Sequence, residues 1–468
     1  MTQNKYDILL LGLNAKYAHC AFGLRYLKAN LGMLADRARI MEFSLRSTDE
    51  EILAAIQRER PAILGVGVYI WNHLRLIPLL KTICTWMQRP YIVLGGPEVS
   101  FLDSDAIILT LADFVIQGEG EIEFRKLCVG LLSAPEASAY AASLHRADET
   151  VHAKVITAGE PELETLVLPY KEYTAGDIAH RLVYVESSRG CPYSCEYCLS
   201  SRDRTVRFFP LDPFLEEIQQ LLDRGVVNFK FVDRTFNVNA VRALAILEFF
   251  LKRLRPGLRI HFELTPGAWP SGFLETLSRF PAGVLNLEIG VQTLHAPTAR
   301  LIQRNFEPQL VLESLSLLCG NTGAKVHVDL IAGLPGEGLE QLAAGFNRVW
   351  GASPDEIQLG ILKSLPGTPM KRHCEAWGLV FNPEPPYEIM ESSLLERAAM
   401  TRLKRAARFW ELIVNRKRFV SYVPDLLPDS SRAFEDFLVF SDWLYARFGR
   451  DHSLALEELT LALDEYLA

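Results

Sequence analysis

The segment Arg189-Gly190-Cys191-Pro192-Tyr193-Ser194-Cys195-Glu196-Tyr197-Cys198 carries three cysteines in the spacing C-x3-C-x2-C. Three such thiolates can each bind one iron of a [4Fe-4S] cluster, which leaves the fourth iron open to a ligand from outside the protein. A zinc site is the main alternative, but structural zinc usually has four Cys or His ligands, and no second ligand pair lies nearby in the sequence. A disulfide is less favoured, because an odd set of cysteines without a recognisable export signal more often binds metal or takes part in catalysis. The spacing therefore indicates an iron–sulfur cluster.

The cysteine loop, which directly follows Tyr184-Val185-Glu186-Ser187-Ser188, resembles the cluster loop of the radical S-adenosylmethionine (SAM) superfamily. The resemblance implies a [4Fe-4S] cluster held by Cys191, Cys195 and Cys198, with SAM bound to the fourth iron. It also implies that Tyr197, the aromatic residue before the last cysteine, lies near the adenine of SAM.

The composition is that of an ordinary globular protein, with 468 residues of which 49% are hydrophobic and 23% are charged. This length allows two or three domains. The formal charge of -8 and the pI near 5.8 argue against a general polyanion binder, because nucleic-acid-binding domains usually carry a basic footprint. Nucleic acid is therefore not an expected partner, although the composition leaves room for a local basic patch.

The start of the chain, residues 1–7, lacks the charged and then apolar pattern of a signal peptide. No apolar run approaches the ~20 residues that span a bilayer, so we expect a cytoplasmic protein without a membrane partner. A reducing compartment also suits an exposed iron–sulfur cluster. The cysteines outside the loop are isolated in the sequence and are interpreted as buried structural thiols: Cys20, Cys84, Cys128, Cys319 and Cys374.

Short apolar runs alternate with helical patterns from Asp7 to about Gly130. Continuous apolar strands separated by helices predict a parallel sheet covered on both faces, and so a doubly wound, flavodoxin- or Rossmann-like α/β domain over residues 1–131. The predicted strands are Asp7–Leu13, Ala38–Phe43, Ala62–Tyr69, Tyr91–Leu94 and Phe114–Gln117.

Such sheets bind ligands at the carboxyl ends of their strands, where paired glycines let a ligand approach the backbone. Tight connections between strands and helices also need glycine, so these residues alone leave open whether a ligand binds. The segments at the predicted strand ends are 14–19, 69–73, Gly95-Gly96-Pro97-Glu98 and Gly118-Glu119-Gly120-Glu121.

This domain is similar to the cobalamin-binding domain that precedes the core of many radical SAM proteins, through Leu94-Gly95-Gly96-Pro97-Glu98 and Gly118-Glu119-Gly120-Glu121. The D-x-H-x-x-G motif that supplies a histidine to cobalt elsewhere is absent, and Asn14-Ala15-Lys16-Tyr17-Ala18-His19 occupies that loop. His19 has no second ligand nearby, which is more typical of a hydrogen-bonded loop histidine than of a metal ligand. The resemblance thus implies cobalamin bound without that histidine, with the loop 69–73 covering the lower face of cobalt. The implied contacts are Asn14, Tyr17, His19, Tyr69, Trp71, Gly95, Gly96, Pro97, Glu98, Gly118 and Glu119.

Residues 132–175 begin with a segment rich in Ala, Ser, Glu and Pro and show weak periodicity, which predicts a linker. Residues 176–375 contain six strand-like runs separated by helical patterns, and this alternation predicts an incomplete (β/α)6 barrel. The predicted strands are Leu182–Glu186, Val227–Val232, Leu258–Leu264, Val284–Ile289, Lys325–Ile331 and Glu356–Ile361. The predicted helices include Pro213–Leu222, Asn239–Leu254, Leu310–Cys319 and Leu339–Trp350.

Polar residues fall at or near the ends of the predicted barrel strands, where active residues of such barrels lie. An inward-facing carboxylate needs a partner, and either SAM or a neighbouring Arg or Lys can supply it. By resemblance, Asp233-Arg234-Thr235-Phe236-Asn237 takes the place of the Gly-Gly-Glu motif that holds the SAM amino group in many family members. The expected SAM contacts are Tyr197, Asp233, Glu263, Gln292 and Asp329.

Residues 376–468 are predicted to be mainly helical after a break at Asn382-Pro383-Glu384-Pro385-Pro386. Apolar residues recur at helical spacing from Leu395 to Ile413, with basic residues between them. This pattern indicates an amphipathic helix packed on the barrel with a solvated basic face, and a substrate-capping role is the alternative. Lys363, beyond the sixth predicted strand, is a candidate substrate contact or a solvated charge. The apolar positions are Leu395, Ala399, Leu403, Ala406, Trp410 and Ile413, and the basic ones are Arg402, Lys404, Arg405 and Arg408.

These features predict a cobalamin-dependent radical SAM enzyme. The resemblance implies a methyltransferase that passes a methyl group from SAM through cobalamin to an unactivated carbon or another poor nucleophile. A non-methylating rearrangement or cyclisation enzyme is the alternative, and a cobalamin- or SAM-responsive binding protein is disfavoured by the cysteine triad. We expect a monomer, a one-electron reductant such as flavodoxin or ferredoxin, and a small-molecule or peptide substrate that the sequence does not identify.

Overall fold

The computed structural model describes residues 6–133, 153–267, 269–304 and 306–468. The chain forms two compact units. Unit 1 comprises Met1–Ser187 and Arg207–Lys230, and unit 2 comprises Ser188–Val206 and Phe231–Ala468. The predicted cluster loop therefore belongs to unit 2.

The first sheet has six parallel strands in the order β2-β1-β3-β4-β5-β6. Strand β1 lies next to the edge strand β2 and pairs through Ile8 with Ala38 on one side and with Ile63 on the other. The strand order changes direction between β1 and β3, and ligands of doubly wound sheets bind in the crevice at such a switch point. The predicted doubly wound fold is confirmed. The strands are β1 Ile8–Asn14, β2 Ala38–Ser44, β3 Ile63–Gly67, β4 Tyr91–Gly95, β5 Phe114–Gln117 and β6 Lys154–Thr157.

Strand β1 explains why the sequence of this sheet is continuously apolar. Ile8 and Leu10 pack into the core on one face of the sheet, and Leu9 and Leu11 pack into the core on the other. Successive side chains of a strand point to opposite faces, so a strand covered on both sides must be apolar throughout. The covering helices are α1 Phe22–Ala29, α2 Asp49–Glu59, α3 His73–Cys84, α4 Ile107–Thr110 and α5 Glu121–Leu132.

Strand β6 lies in the segment that the sequence assigns to a linker. It pairs with β5, with Phe114 opposite Lys154, and extends the sheet at its edge. Short 3-10 helices follow at Leu163–Thr165 and Pro169–Glu172. The linker prediction is therefore wrong for these residues, while its part from 134 to 152 lies outside the described residues.

A buried ionic group joins the start of the first sheet to a helix that follows the predicted linker. Arg25 of α1 is 2% exposed, and its Nη2 lies 2.7 Å from Glu42 Oε2 and 3.0 Å from Asp177 Oδ2. Burial raises the pKa values of both carboxyls, but hydrogen bonds and the Arg25 charge outweigh burial and hold them below their usual range. Buried charges need such partners, so the three side chains stabilise unit 1 only as a group.

The second sheet also has six strands, in the order β14-β13-β12-β11-β10-β7. Strands β11 to β14 pair in parallel with their neighbours. This sequential order is that of an incomplete (β/α) barrel, as predicted. In chain order its strands are β7 Val183–Val185, β10 Asn228–Phe231, β11 Arg259–Leu264, β12 Leu285–Gln292, β13 Lys325–Ala332 and β14 Glu356–Ile361. The short strands β8 Ser188–Arg189 and β9 Arg207–Phe208 form a separate pair.

Four helices of the barrel region agree with the four predicted from the sequence, and the structure contains shorter helices as well. Within the described residues, no helix has both the length and the apolar character needed to span a membrane. The helices up to the end of the barrel are Ala175–His180, Leu211–Asp223, Ala240–Leu251, Phe273–Ser278, Ala296–Leu301, Pro308–Asn321 and Leu339–Gly351.

The C-terminal region is mainly helical, but it also contains a small antiparallel pair, β15 Val380–Phe381 and β16 Ile389–Glu391. The predicted amphipathic helix packs on the barrel, since the Trp410 ring lies 4.7 Å from Phe346 of the helix Leu339–Gly351. The helices are Cys374–Trp377, Arg397–Trp410 with a π-helical turn at Glu411–Asn415, Val423–Leu426, Ala433–Phe448 and Leu456–Leu467.

Three of the four basic side chains of this helix have acidic partners, so the predicted solvated face is wrong for them, whereas Arg408 is exposed as predicted. Arg402 and Arg405 both bind Asp442, and Lys404 Nζ lies 2.8 Å from Glu388. These cations hold the helix to its neighbours. The substrate-capping alternative stays a prediction.

The isolated cysteines are also less uniform than predicted. Cys20 and Cys128 are buried, and burial raises the pKa of Cys20 to about 11. Cys84, Cys319 and Cys374 are only half-buried, so the prediction of buried thiols is wrong for these three.

Candidate active site

The three cysteines of the loop line one open pocket in unit 2. Backbone hydrogen bonds fix the loop: Cys191 N donates to Asp203 O at 2.9 Å, and Cys198 N donates to Cys195 O at 3.2 Å. Burial raises the pKa of the Cys191 thiol. The loop thus presents three thiols to a common space.

Gly190 sets the entry of the chain into this loop. Its φ is +89°, and a Cβ at this position would lie 2.2 Å from the carbonyl oxygen of Thr205. No side chain fits against a backbone atom at that distance. Glycine is therefore required directly before the first cysteine.

The opposite wall of the pocket is formed by the carboxyl ends of β11, β12 and β13. Four of the five residues predicted to contact SAM line the pocket, namely Tyr197, Glu263, Gln292 and Asp329. Gln292 has a left-handed φ of 70° at the point where the pairing of β12 with β13 shifts register. The fold therefore gathers residues that are 132 positions apart in sequence, from Tyr197 to Asp329, around one space.

Asp233 is not among the described residues that line the pocket. Its carboxylate is 1% exposed and accepts a hydrogen bond from Ser188 Oγ at 2.6 Å. The next residue along the chain, Arg234, does line the pocket, with its Nη1 3.7 Å from Glu263 Oε2. Lys363 does not line the pocket either, and its backbone bridges to Glu388. These two predicted residues are thus placed apart from the others.

Arg304 is a pocket residue that the sequence does not reveal. Its Nη1 donates to Cys195 Sγ at 3.1 Å, its Nη2 donates to Gly290 O, and its guanidinium stacks 4.8 Å from the Phe306 ring. It lies between two helices, outside any periodic pattern or motif, so no sequence signal distinguishes it from Arg300. With Arg234, it brings positive charge to a pocket that also contains thiols and carboxylates.

The carboxylate of Asp329 is oriented by a histidine. His327 Nε2 lies 3.1 Å from Asp329 Oδ1, and its Nδ1 lies 3.2 Å from Glu356 Oε2. Burial alone lowers the pKa of His327, but hydrogen bonds to Asp329 and Glu356 outweigh it and raise the pKa to about 10. His327 is therefore a cation at neutral pH.

Because His327 is a cation in the folded chain, we expect its contribution to the free energy of unfolding to depend on pH. The folded-state pKa of His327 lies above the value of about 6.5 in an unfolded chain, so its contribution is complete below about pH 6.5 and is lost as pH rises towards 10. We expect the difference in melting temperature between the unchanged chain and His327→Gln to shrink steadily over that range. Thermal unfolding at several pH values measures it, with the exposed His180→Gln as control. A constant difference would contradict the assignment.

In unit 1, two loops flank the switch point between β1 and β3. Tyr69 and Trp71 stack with ring centroids 4.5 Å apart, and Trp71 Nε1 donates to Leu13 O at 3.1 Å. The fully buried Asn72 fixes this turn by donating to Leu13 O and Gly67 O and by accepting from Tyr69 N. Trp71 is 44% exposed, and Tyr17 in the loop after β1 is 60% exposed. Exposed aromatic faces at a sheet crevice suit a large ligand with apolar surface.

Several polar side chains predicted to contact cobalamin have protein partners. His19 Nδ1 lies 2.6 Å from Tyr184 Oη, and burial, followed by the charges of Lys230 and Lys16, lowers its pKa. His19 is thus a hydrogen-bonded loop histidine, and its contact with cobalamin stays a prediction. The other pairings are Asn14 Nδ2 to His19 O and Glu42 Oε1, His73 Nδ1 to Glu98 Oε1, and Arg207 Nη2 to Glu119 Oε1.

One of the two glycines of the β4 loop, Gly96, is required by the backbone itself, without any ligand. Gly96 has φ +107°, and a Cβ there would lie 2.6 Å from Val68 O. A bulky residue at 96 would therefore disturb the loop whether or not a ligand binds. At Gly95 a Cβ would make only an ordinary contact, 3.6 Å from Ile116 O.

Comparison with known families assigns three segments of the chain. Residues 185–347 match the family described as "Radical SAM superfamily", and residues 8–128 match "B12 binding domain". The chain is a radical SAM enzyme with a B12-binding domain. Residues 375–467 of this radical SAM enzyme match a "Protein of unknown function (DUF4080)".

Known proteins with similar sequences or folds agree with this assignment. The radical SAM enzyme is 23% identical over 374 residues to "Uncharacterized methyltransferase PH0819" of Pyrococcus horikoshii, covering 76% of this chain and 79% of the relative. It is 27% identical over 195 residues to "Cobalamin-dependent radical SAM methyltransferase TokK" of Streptomyces tokunonensis, covering 38% and 28%. The structure of the cobalamin-dependent SAM radical enzyme OxsB, with aqua-cobalamin and SAM bound, aligns with a TM-score of 0.66 at 15% identity, covering 99% and 80%. This last likeness shows that the fold is shared.

The residues of the radical SAM enzyme fit the cofactors that the family implies. Three thiols face one pocket whose walls carry Arg304, Glu263 and Asp329, a donor set for an iron–sulfur cluster and for the amino acid portion of SAM. Among the described residues, no three His, Cys, Asp or Glu side chains surround a single point as the ligands of one metal ion would. The cluster assignment does not require such a group, because each cysteine would bind a different iron.

Proposed function

We propose that this radical SAM enzyme is a cobalamin-dependent methyltransferase that moves a methyl group from SAM, through cobalamin, to an unactivated carbon or another poor nucleophile. The observation that carries the proposal is the pocket in which the cysteine loop faces the polar strand ends of the barrel. The B12-binding segment and the similarity to the methyltransferases PH0819 and TokK support methyl transfer as the reaction class.

The roles of the pocket residues follow from their charge. Cys191, Cys195 and Cys198 hold the cluster, Arg304 binds the carboxylate of SAM, and Glu263 and Asp329 accept hydrogen bonds from its amino and hydroxyl groups. When bound, the cluster supplies the electron that cleaves SAM, and cobalamin supplies a carrier for the methyl group.

Replacing Arg304 with methionine should weaken SAM binding by roughly 10- to 100-fold, because a hydrogen bond to a charged group contributes about 1.5–3 kcal/mol. Equilibrium binding of SAM to the anaerobically reconstituted protein measures this, with iron content determined in parallel. Arg300→Met is the matched control, since this exposed arginine ends the preceding helix and does not line the pocket. Unchanged SAM affinity in Arg304→Met would remove the assigned role.

The reaction class is tested by incubating the reconstituted enzyme with methyl-labelled SAM, cobalamin, a reductant and cell extract without oxygen. Methyl transfer to an unactivated carbon predicts label in a product, together with 5'-deoxyadenosine and S-adenosylhomocysteine. Deoxyadenosine without labelled product or S-adenosylhomocysteine would favour the rearrangement or cyclisation alternative. No SAM consumption under any reducing condition would favour a binding protein. Mass spectrometry distinguishes the three outcomes.

A further inference from the structure

Glu196 lies between two residues of the pocket, Cys195 and Tyr197, yet its own side chain points away from solvent and is 1% exposed. Its Oε1 accepts hydrogen bonds from Gln303 Nε2 at 2.6 Å and from Arg372 Nη2. Its Oε2 accepts from His373 Nε2 at 2.7 Å. Both carboxylate oxygens are therefore occupied by protein donors.

The donors come from two separate segments of unit 2. Gln303 follows the helix Ala296–Leu301, and the backbone of Glu196 is held there as well, because its N donates to Ile302 O at 3.1 Å. Arg372 and His373 end the 3-10 helix Pro369–His373. A buried carboxylate is tolerated only with such partners, so the cluster loop is fixed to both segments through one side chain.

A second contact joins the same parts of the molecule. Arg202, in the 3-10 turn that follows Cys198, donates from Nη1 to Gly367 O at 2.6 Å. The segment 367–373 thus contacts the cluster loop in its middle, at Glu196, and just after its end. This segment leads directly into Cys374 and the region of unknown function, which begins at residue 375.

We infer that Glu196 is a positioning residue that braces the cluster loop against the segment 367–373. The brace fixes the backbone between Cys195 and Cys198 and so the spacing of their sulfurs, and it also orients Tyr197. The loop holds iron tightly only while the brace is intact. The inference rests on the cluster of the proposed function, but it does not depend on methyl transfer.

Glu196→Gln tests the brace, because its amide NH2 group would face either the Arg372 guanidinium, which can only donate, or His373 Nε2, which would have to change from donor to acceptor. We expect iron to be lost to a ferrous chelator about 10- to 100-fold faster than from the unchanged protein, the range seen when groups behind metal ligands are altered. The electron paramagnetic resonance spectrum of the reduced cluster should change as well. Asp442→Asn, which removes a carboxylate paired with two arginines in the C-terminal helices, should leave both readouts unchanged.

Two further variants separate bracing from general stability. Glu196→Gln combined with Gln303→Glu keeps one amide and one carboxylate in the same hydrogen-bonded pair, with the two side chains exchanged, and should restore slow iron release. Arg372→Gln removes one donor whose side chain is 54% exposed, so this variant should fold and lose iron faster than the unchanged protein.

Iron release from Glu196→Gln at the rate of the unchanged protein would overturn the brace. If Glu196→Gln does not fold, iron release from Arg372→Gln at the unchanged rate would overturn it. Failure of the double variant Glu196→Gln/Gln303→Glu to restore slow iron release would overturn it as well. An unchanged protein that takes up no iron on reconstitution is a different result. It would contradict the proposed function itself.

Discussion

Alanine at Cys191, Cys195 and Cys198 should leave the anaerobically reconstituted protein with almost no iron, whereas the unchanged chain should take up about four irons. The reason is that all three thiols line one pocket, and the loop has no other side chain of the type that binds an iron–sulfur cluster. Chemical analysis of iron and sulfide measures the effect, and zinc is measured on the same samples.

The matched control replaces the three half-buried cysteines elsewhere, Cys84, Cys319 and Cys374, by alanine. It removes the same number of thiols and should keep the iron. Full iron content in the loop variant, or stoichiometric zinc in the unchanged protein, would contradict the cluster assignment.

Gly190→Ala is expected to disrupt the cluster loop, with both a lower melting temperature and loss of iron. A positive φ alone costs an alanine about 1–2 kcal/mol. Here the added Cβ would also lie 2.2 Å from Thr205 O, so a total of at least about 3 kcal/mol is expected. Thermal unfolding and iron analysis of the same preparations measure the two effects.

Gly283→Ala separates strain from collision. Gly283 has a similar φ of +79°, but nothing lies within 4 Å of the position of its Cβ. It should show only the cost of the positive φ and should keep its iron. Equal destabilisation of the two variants would mean that the contact with Thr205 is relieved by a small movement of the chain.

The sequence predicts every strand of the two six-stranded sheets except β6 to within a few residues, and the physical reason is burial. In β1 every residue is buried, so the apolar run that carries the prediction is also what the packing requires. Strand β6 has no such run, because its residues alternate between half-buried and exposed at the sheet edge. An edge strand of four residues leaves too little pattern to be recognised.

In the candidate site, too, the sequence reveals a residue only where the pattern lies within a short stretch of the chain. The cysteines are recognised because their spacing lies within one loop. Arg304 reaches Cys195 from 109 positions away, and only the barrel fold brings the two together. Asp233 is at a predicted strand end, but position at the end of a strand does not fix side-chain direction, and here the carboxylate turns towards Ser188.

The buried pairing of Arg25 with Glu42 and Asp177 bears on how this protein can be divided or recombined. A fragment that ends at residue 131 would keep Arg25 and Glu42 but lose Asp177, and with it strand β6. Removing one partner of a buried ionic group is destabilising by about 3–5 kcal/mol. The N-terminal α/β domain therefore cannot be exchanged as residues 1–131, the bounds that its sequence suggests. A domain from a relative could replace it only together with that relative's counterpart of the helix Ala175–His180.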